Sequence, residues 1–371
     1  MPVGLLARNP DLLIAWRGDR LVVEDLTTSR HVDVPIGVVL ALDYFRRPRT
    51  PEAVARGLPA EARPAFRRGV RHLVRLGLLL PAAAARRMVA RLDAWKGNFA
   101  SALYHSAARD LRYLESPAMA DAFLLRRVAE EPRPAPFKRY PGALRMPLPA
   151  PGPSGPDAAP LGQVLAERRT VRAFSRKPVA LQDLAAVVRG TWGRTGWLQT
   201  VLVGRVATKT SPSAGALHPI ECYVLAWNVR GLRPGIYHYD VAGDELRRLR
   251  SGDCRAAAVR AASGQRWVGG AAFLCVMTAV FKRTLWKYEL ENAYRSLWLD
   301  AGHLGQTFCL LCTARGLGPF TTAAMQDSRI EKLLGLDGVM EFPVYLCGAG
   351  VRGKVRSTSA PPPSARRGSF P

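Results

Sequence analysis

The chain has 371 residues, 48% hydrophobic and 22% charged, a composition that buries a sizeable core and excludes a disordered chain. No apolar run nears the roughly 20 residues needed to span a bilayer, and residues 1–20 lack a secretory signal's basic start and apolar run, so a cytoplasmic protein without membrane attachment is expected. The formal charge is +25, but residues 1–80 carry a net +5 and the other 291 carry +20; so even a spread argues against a nucleic-acid reader, which concentrates cations on one face.

Residues 5–35 alternate apolar and polar positions around Arg17-Gly18-Asp19, which predicts a hairpin of Leu12–Trp16 and Arg20–Leu26. Helical patterns follow at Ile36–Phe45 and Glu61–Leu76. Between them, Thr50-Pro51-Glu52 combines an N-cap, a proline at the first helical position and an early acid. This element order predicts a small winged-helix-like domain over 1–80. Residues 81–130 read as a helical connecting region. Residues 131–160 carry ten prolines, the composition of a semi-rigid linker. Beyond Leu161, helices (161–169, 181–192, 253–262, 289–315, 327–334) interleave with strands (220–227, 235–239, 245–249, 270–279, 341–347). That is an α+β pattern with one long helix; the domain is expected over 161–356, with a flexible tail at 357–371.

Three clusters can carry chemistry. Arg168-Arg169-Thr170-Val171-Arg172 offers planar guanidinium forks suited to a phosphomonoester, although a solvated helix end reads the same way. Thr210-Ser211-Pro212-Ser213-Ala214-Gly215-Ala216-Leu217-His218-Pro219-Ile220-Glu221 is a rigid, small-residue loop whose backbone can approach a flat ligand. Lys287-Tyr288 leads into Tyr294-Arg295 and Asp300-Ala301-Gly302-His303. Only eight lysines stand against forty-six arginines, and Lys and Tyr serve as general acids or bases once their surroundings shift them. Two other motifs carry less. Cys309-x-x-Cys312 has no second pair of ligands and reads as core, so no metal is expected. Gly348-x-Gly350-x-x-Gly353 has no helix after it to receive a pyrophosphate.

Taken jointly, the three clusters resemble the FMN-binding nitroreductase superfamily over residues 161–350, and more narrowly the SagB-type dehydrogenases, which oxidise azoline rings to azoles in thiazole and oxazole peptide biosynthesis. The resemblance implies a nitroreductase-like fold, a central mainly antiparallel sheet flanked by helices, dimerising through the long helix with FMN at the interface. It implies FMN contacts from Arg168, Arg169, Thr170, Arg172, Pro212, Ser213, Ala214, Gly215 and His218. Thr321 and Thr322, in the Gly316–Ala323 segment, would run beside the flavin, and Arg352, Lys354 or Arg356 would close on its phosphate. Lys287 and Tyr288 take the catalytic role, with oxygen reoxidising the flavin. The segment Ile36–Leu80 is similar to the domains that bind leader peptides in such pathways, which implies a precursor-peptide substrate and a possible cyclodehydratase partner. The competing readings are an NAD(P)H-dependent nitro- or quinone reductase or another peptide-tailoring enzyme of the same fold, and, without chemistry, a peptide-binding scaffold or a winged-helix regulator.

Overall fold

The computed structural model describes residues 4–26, 28, 30–96, 98–108, 116–150, 159–288 and 292–354. Arg356, the tail 357–371 and the first three residues of the 289–315 helix lie outside them. The chain divides into two compact units, at residues 113 and 114.

In the first unit, the strands Leu12–Arg17, Arg20–Asp25 and Arg30–Asp33 form an antiparallel sheet with Leu12–Arg17 at one edge. The helices Ile36–Tyr44, Pro51–Arg56 and Arg63–Arg75 follow. Thr50 Oγ1 accepts the Ala53 amide at 3.2 Å, the N-cap bond that the sequence signals. Gly77, at φ 77°, ends the third helix in the left-handed conformation. Leu6–Arg8 pairs with Leu79–Pro81, and Val23, Leu42, Phe45, Leu73 and Leu79 are among the residues of the unit's core.

The second unit is built on a seven-stranded sheet. In spatial order its strands are Leu317–Thr322, Glu341–Val351, Phe273–Val280, Ile220–Ala226, Gly235–Asp240, Glu245–Ser251 and Leu144–Pro147. Every adjacent pair is antiparallel. The central strands are buried throughout and read as continuous apolar runs because helices cover both faces. Alternate side chains divide between those faces. Cys222, Val224, Cys275 and Met277 pack with Leu184, Val188, Leu304 and Phe308, from the helix Leu181–Trp192 and the long helix Asn292–Ala314. Tyr223, Leu225, Leu274 and Val276 pack with Ala258, Ala261, Ile330 and Leu334 of the helices Arg255–Ala261 and Asp327–Leu334. All six cysteines are buried free thiols. None of the described helices is long and apolar enough to cross a membrane.

Two features depart from the sequence reading. Part of the stretch expected as a linker is structural: Leu144–Pro147 is the sheet's edge strand, where proline costs no ladder bond to a further neighbour, and the Lys138 amide donates to Glu221 Oε1 at 3.2 Å. A hairpin of Arg194–Thr200 with Gly204–Lys209 was not anticipated, because its short alternation is diluted by Gly, Thr and Gln.

Candidate functional site

The loop 211–218 is held in a conformation that side chains resist. Gly215, Ala216 and His218 have φ of 59°, 55° and 45°, and Ala216 and His218 carry a Cβ that the left-handed region penalises. Hydrogen bonds from the long helix impose the shape. Ser213 Oγ donates to Asp300 Oδ2 at 2.5 Å and the Ala214 amide to Asp300 Oδ1 at 3.3 Å. The His218 amide donates back to Ser213 Oγ at 2.9 Å, and Ser211 and Thr307 share a hydroxyl hydrogen bond of 2.7 Å. Gly215 is obligatory here: a Cβ on it would stand 2.7 Å from Tyr288 Oη and 3.0 Å from Lys287 Nζ. The two residues singled out as catalytic therefore pack directly on the loop singled out as a ligand cradle.

Beneath the loop lies a buried chain of charge. Arg283 Nη1 pairs with Glu221 Oε1 at 2.6 Å and donates to the His218 carbonyl at 3.2 Å, while His238 Nε2 meets Glu221 Oε2 at 2.8 Å. Burial pushes the Glu221 carboxyl up, but the Arg283 charge and the His238 hydrogen bond outweigh it and hold the group well below the carboxylate range. His218 Nε2 donates to the Ala207 carbonyl at 3.0 Å. Burial first, and the Lys209 charge second, lower His218 to about 4, so its ring is neutral at pH 7. Lys287 is lowered by burial and then by the Arg133 charge, which favours the amine that can accept a proton. Asp300 entered the sequence reading only as part of a motif and Glu221 only as the last residue of the loop cluster; Lys209 and Arg283 did not enter the site at all. The rarity of lysine was the one signal that pointed at Lys209.

The arginine cluster occupies another place. The Val171 amide donates to the Pro319 carbonyl at 2.8 Å and the Gly353 amide to that of Ala173 at 2.9 Å, so residues 171–174 lie along the ends of the strands Leu317–Thr322 and Glu341–Val351. Arg352 Nε donates to the Leu317 carbonyl at 3.2 Å, and Arg172 stacks over Trp267 at 5.4 Å. Arg169 Nη1 instead caps the preceding helix, donating to the carbonyls of Ala166 and Arg168 at 2.9 and 2.8 Å. Thr322 Oγ1 accepts from Gln265 Nε2 at 3.2 Å, and Thr321 Cγ2 stands 3.9 Å from where a Cβ of Gly305 would be. Thr170 and Lys354 are exposed. Among the described residues, Arg168, Arg172, Arg352 and Lys354 have no carboxylate partner. An unneutralised donor set of that kind suits a phosphate.

The two clusters do not meet within one chain. The loop and Lys287 lie at the end of the sheet where Val280 pairs with Glu341 and the Val280 amide meets the Pro219 carbonyl. The arginines lie where Leu317 pairs with Val351. These pairings stand at the two ends of the eleven-residue strand Glu341–Val351, although Arg168 comes close enough to act on Cys309 of the long helix.

A strained small-residue loop backed by lysine and tyrosine and a cluster of arginines without carboxylate partners thus stand on one antiparallel sheet, the setting in which the family of the chain can be read. The chain belongs to the nitroreductase family, whose model matches residues 165–351. The trifolitoxin operon protein TfxC of Rhizobium leguminosarum bv. trifolii is 26% identical over 289 residues, covering 75% of this chain and 79% of that protein. A protein of Methanocaldococcus jannaschii assigned to the nitroreductases is 28% identical over 190 residues, 51% of this chain and 90% of that one. Among solved structures, the Escherichia coli microcin synthetase McbBCD complex with truncated pro-MccB17 bound covers 67% of this chain and 87% of its own, at 19% identity and a TM-score of 0.44.

Proposed function

We propose that this protein is an FMN-dependent oxidoreductase that dehydrogenates azoline rings of a ribosomally made precursor peptide to thiazole or oxazole. The observation that carries the reading is the packing of Lys287 Nζ and Tyr288 Oη on Gly215 of the strained loop. The relationship to proteins named for the trifolitoxin operon and for trifolitoxin processing supports a substrate of toxin maturation over a small nitroaromatic. The donor set fits the cofactor: Arg168, Arg172, Arg352 and Lys354 would hold its phosphate, and the flat Pro212–Gly215 surface would lie beside its ring. Bound there, FMN would supply the two-electron acceptor, with oxygen as the terminal oxidant.

The protein's own part is positioning and proton handling. Asp300 fixes the loop, and the loop sets where a substrate ring can rest. The Lys287 amine, favoured by burial, accepts the proton leaving the substrate carbon, with the Tyr288 hydroxyl beside it to steady the charge that develops. Because one chain keeps the arginines and Lys287 at opposite sheet ends, two copies related by a twofold axis complete each site, the arginines from one and the loop from the other. The first unit supplies the peptide's anchor. It has a groove of about 1050 Å3 lined by Leu12, Ile14, Leu40 and Val89 with Arg8 and Arg46, beside the open edge of Leu12–Arg17. An extended peptide can add there as a strand over the apolar lining, while Arg8 and Arg46 bridge to Asp43 in the same groove.

Lys287→Ala tests the assignment. The purified variant keeps a flavin absorbance spectrum and loses azoline oxidation by at least about a hundredfold, the lower range for a general acid or base. Unchanged turnover would remove Lys287 from the chemistry. A colourless wild-type protein, or one that oxidises NADPH and leaves azolines untouched, would overturn the reading.

A further inference from the structure

Lys209 is a half-buried cation that the mechanism above does not use. It ends the strand Gly204–Lys209, and its Nζ stands 5.7 Å from the centroid of the Phe137 ring. Among the described residues it makes no hydrogen bond or ion pair within 4.0 Å. Lysines ordinarily extend the ammonium to solvent; burial instead draws this one down to about 8. The charged and titratable groups facing it come from four neighbouring segments: Glu221 and Cys222 on the central strand, Arg283, Asp300 on the long helix, and His218 on the loop. Glu221 is held by Arg283 and His238, and both Asp300 oxygens accept from the loop. Each Asp300 oxygen therefore keeps a lone pair for a further donor.

Lys209, Ser211, Ser213, His218 and Asp300 line a small cavity of about 10 Å3 under the loop. That is the accessible volume of one water, and these side chains supply the two to four polar partners that a buried water requires. Their donors and acceptors are complementary: the ammonium only donates, the Asp300 oxygens only accept, and the hydroxyls do both.

We propose that this cavity is a one-water site and that Lys209 is a positioning residue of the oxidation, coupled through that water to Asp300 so that its charge holds the 213–218 turn in its left-handed form. This rests on the reading of the loop as the reactive face. The charged form is the working one. It opposes protonation of the His218 ring, which stays neutral beside it, and it offsets the Asp300 carboxylate buried beside it. Deprotonation releases the coupling, so turnover declines as the pH rises through the Lys209 transition.

The test uses the full-length protein and two readouts. Competitive acetylation with acetic anhydride across pH 6 to 11, followed by mass spectrometry of the Lys209 peptide, reports its titration without any substrate. Half-reactivity near pH 8 supports the proposal, and titration with the surface lysines near the usual ~10.4 overturns it. The His218 ring is then followed by NMR, assigned with His218→Asn. Lys209→Met raises its midpoint, whereas Lys209→Arg leaves it in place. On turnover, Lys209→Met lowers kcat about tenfold with little change in KM. Lys209→Arg keeps kcat and moves the alkaline limb up by at least about one pH unit, since arginine stays charged. An unmoved His218 midpoint together with an unmoved alkaline limb overturns the coupling. Should Lys209→Met not fold, the Lys209→Arg limb decides alone. Expected labelling and NMR without azoline oxidation in the wild type would leave the site standing and sink the reaction.

Discussion

Gly215 shows how one residue type can be forced from two directions. Its φ of 59° favours glycine, and the space a Cβ would need is filled by Tyr288 Oη and Lys287 Nζ. Gly215→Ala costs about 1–2 kcal/mol through the left-handed backbone alone and displaces both side chains, so oxidation collapses while the far-ultraviolet circular dichroism is retained. Intact turnover in that variant would mean that the loop is not the reactive face. Asp300→Ala removes the acceptor for Ser213 and Ala214 at a cost of about 1–3 kcal/mol, read as a lower denaturant midpoint. His218 gives the acid limb of stability. Its value is depressed from 6.5 to about 4, so its contribution is complete above pH 6.5 and is lost as the pH falls through 4, up to about 3 kcal/mol by linkage. Glu221, also depressed, adds a loss of the same sign at lower pH. Thermal melts between pH 7 and 4 check this; a melting temperature flat over that window would contradict the half-buried geometry of His218.

At the scale of elements, the fully apolar strands were legible because continuous Val, Leu, Ile and Cys runs leave few other places to go. Cys275 sits opposite Cys347 across a strand pair, and all six thiols are buried. The native protein should therefore be nearly inert to a thiol reagent such as dithionitrobenzoate and should release six equivalents once denatured. Rapid reaction of Cys309 or Cys312 in the native state would reopen the redox reading of that motif; burial pushes Cys309 up to about 11, the opposite of a reactive thiol. The edge strand Leu12–Arg17 exposes Trp16 at 65% and Ile14 at 43%, apolar surface that an unprotected edge does not usually carry. Trp16→Lys is expected to weaken precursor-peptide binding at least about tenfold in a fluorescence titration while leaving flavin content unchanged.

For the molecule as a whole, the composite site makes a prediction that no single-chain site would. Arg172→Ala and Lys287→Ala are each expected to be inactive as pure dimers. Mixed by co-expression, they yield heterodimers in which one of the two sites carries neither lesion, and activity returns to about a quarter of the wild type, from half of the dimers with one working site each. Absence of recovery, or a monomer by analytical ultracentrifugation, would rule out sharing between copies. The charge of +25 adds a salt dependence: affinity for an acidic leader falls as ionic strength screens the chain's net positive charge.

The sequence by itself determined the fold class and nearly every helix and central strand, and it singled out three clusters as candidates, because periodicity, caps and small-residue loops are local properties. The tertiary structure decided what lies between them. Asp300 and the loop are some eighty-five residues apart in the chain, yet a carboxylate bonded to two loop donors sets the turn. Arg283, Glu221 and Lys209 acquire meaning only from burial, which no local pattern reports. The prolines of 131–160 read as a linker by composition, but the hydrogen-bonding edge of the Glu245–Ser251 strand was there to take up Leu144–Pro147. Spacing along the chain likewise hid the distance between the arginines and Lys287, since only the direction of the strand Glu341–Val351 places them at opposite ends.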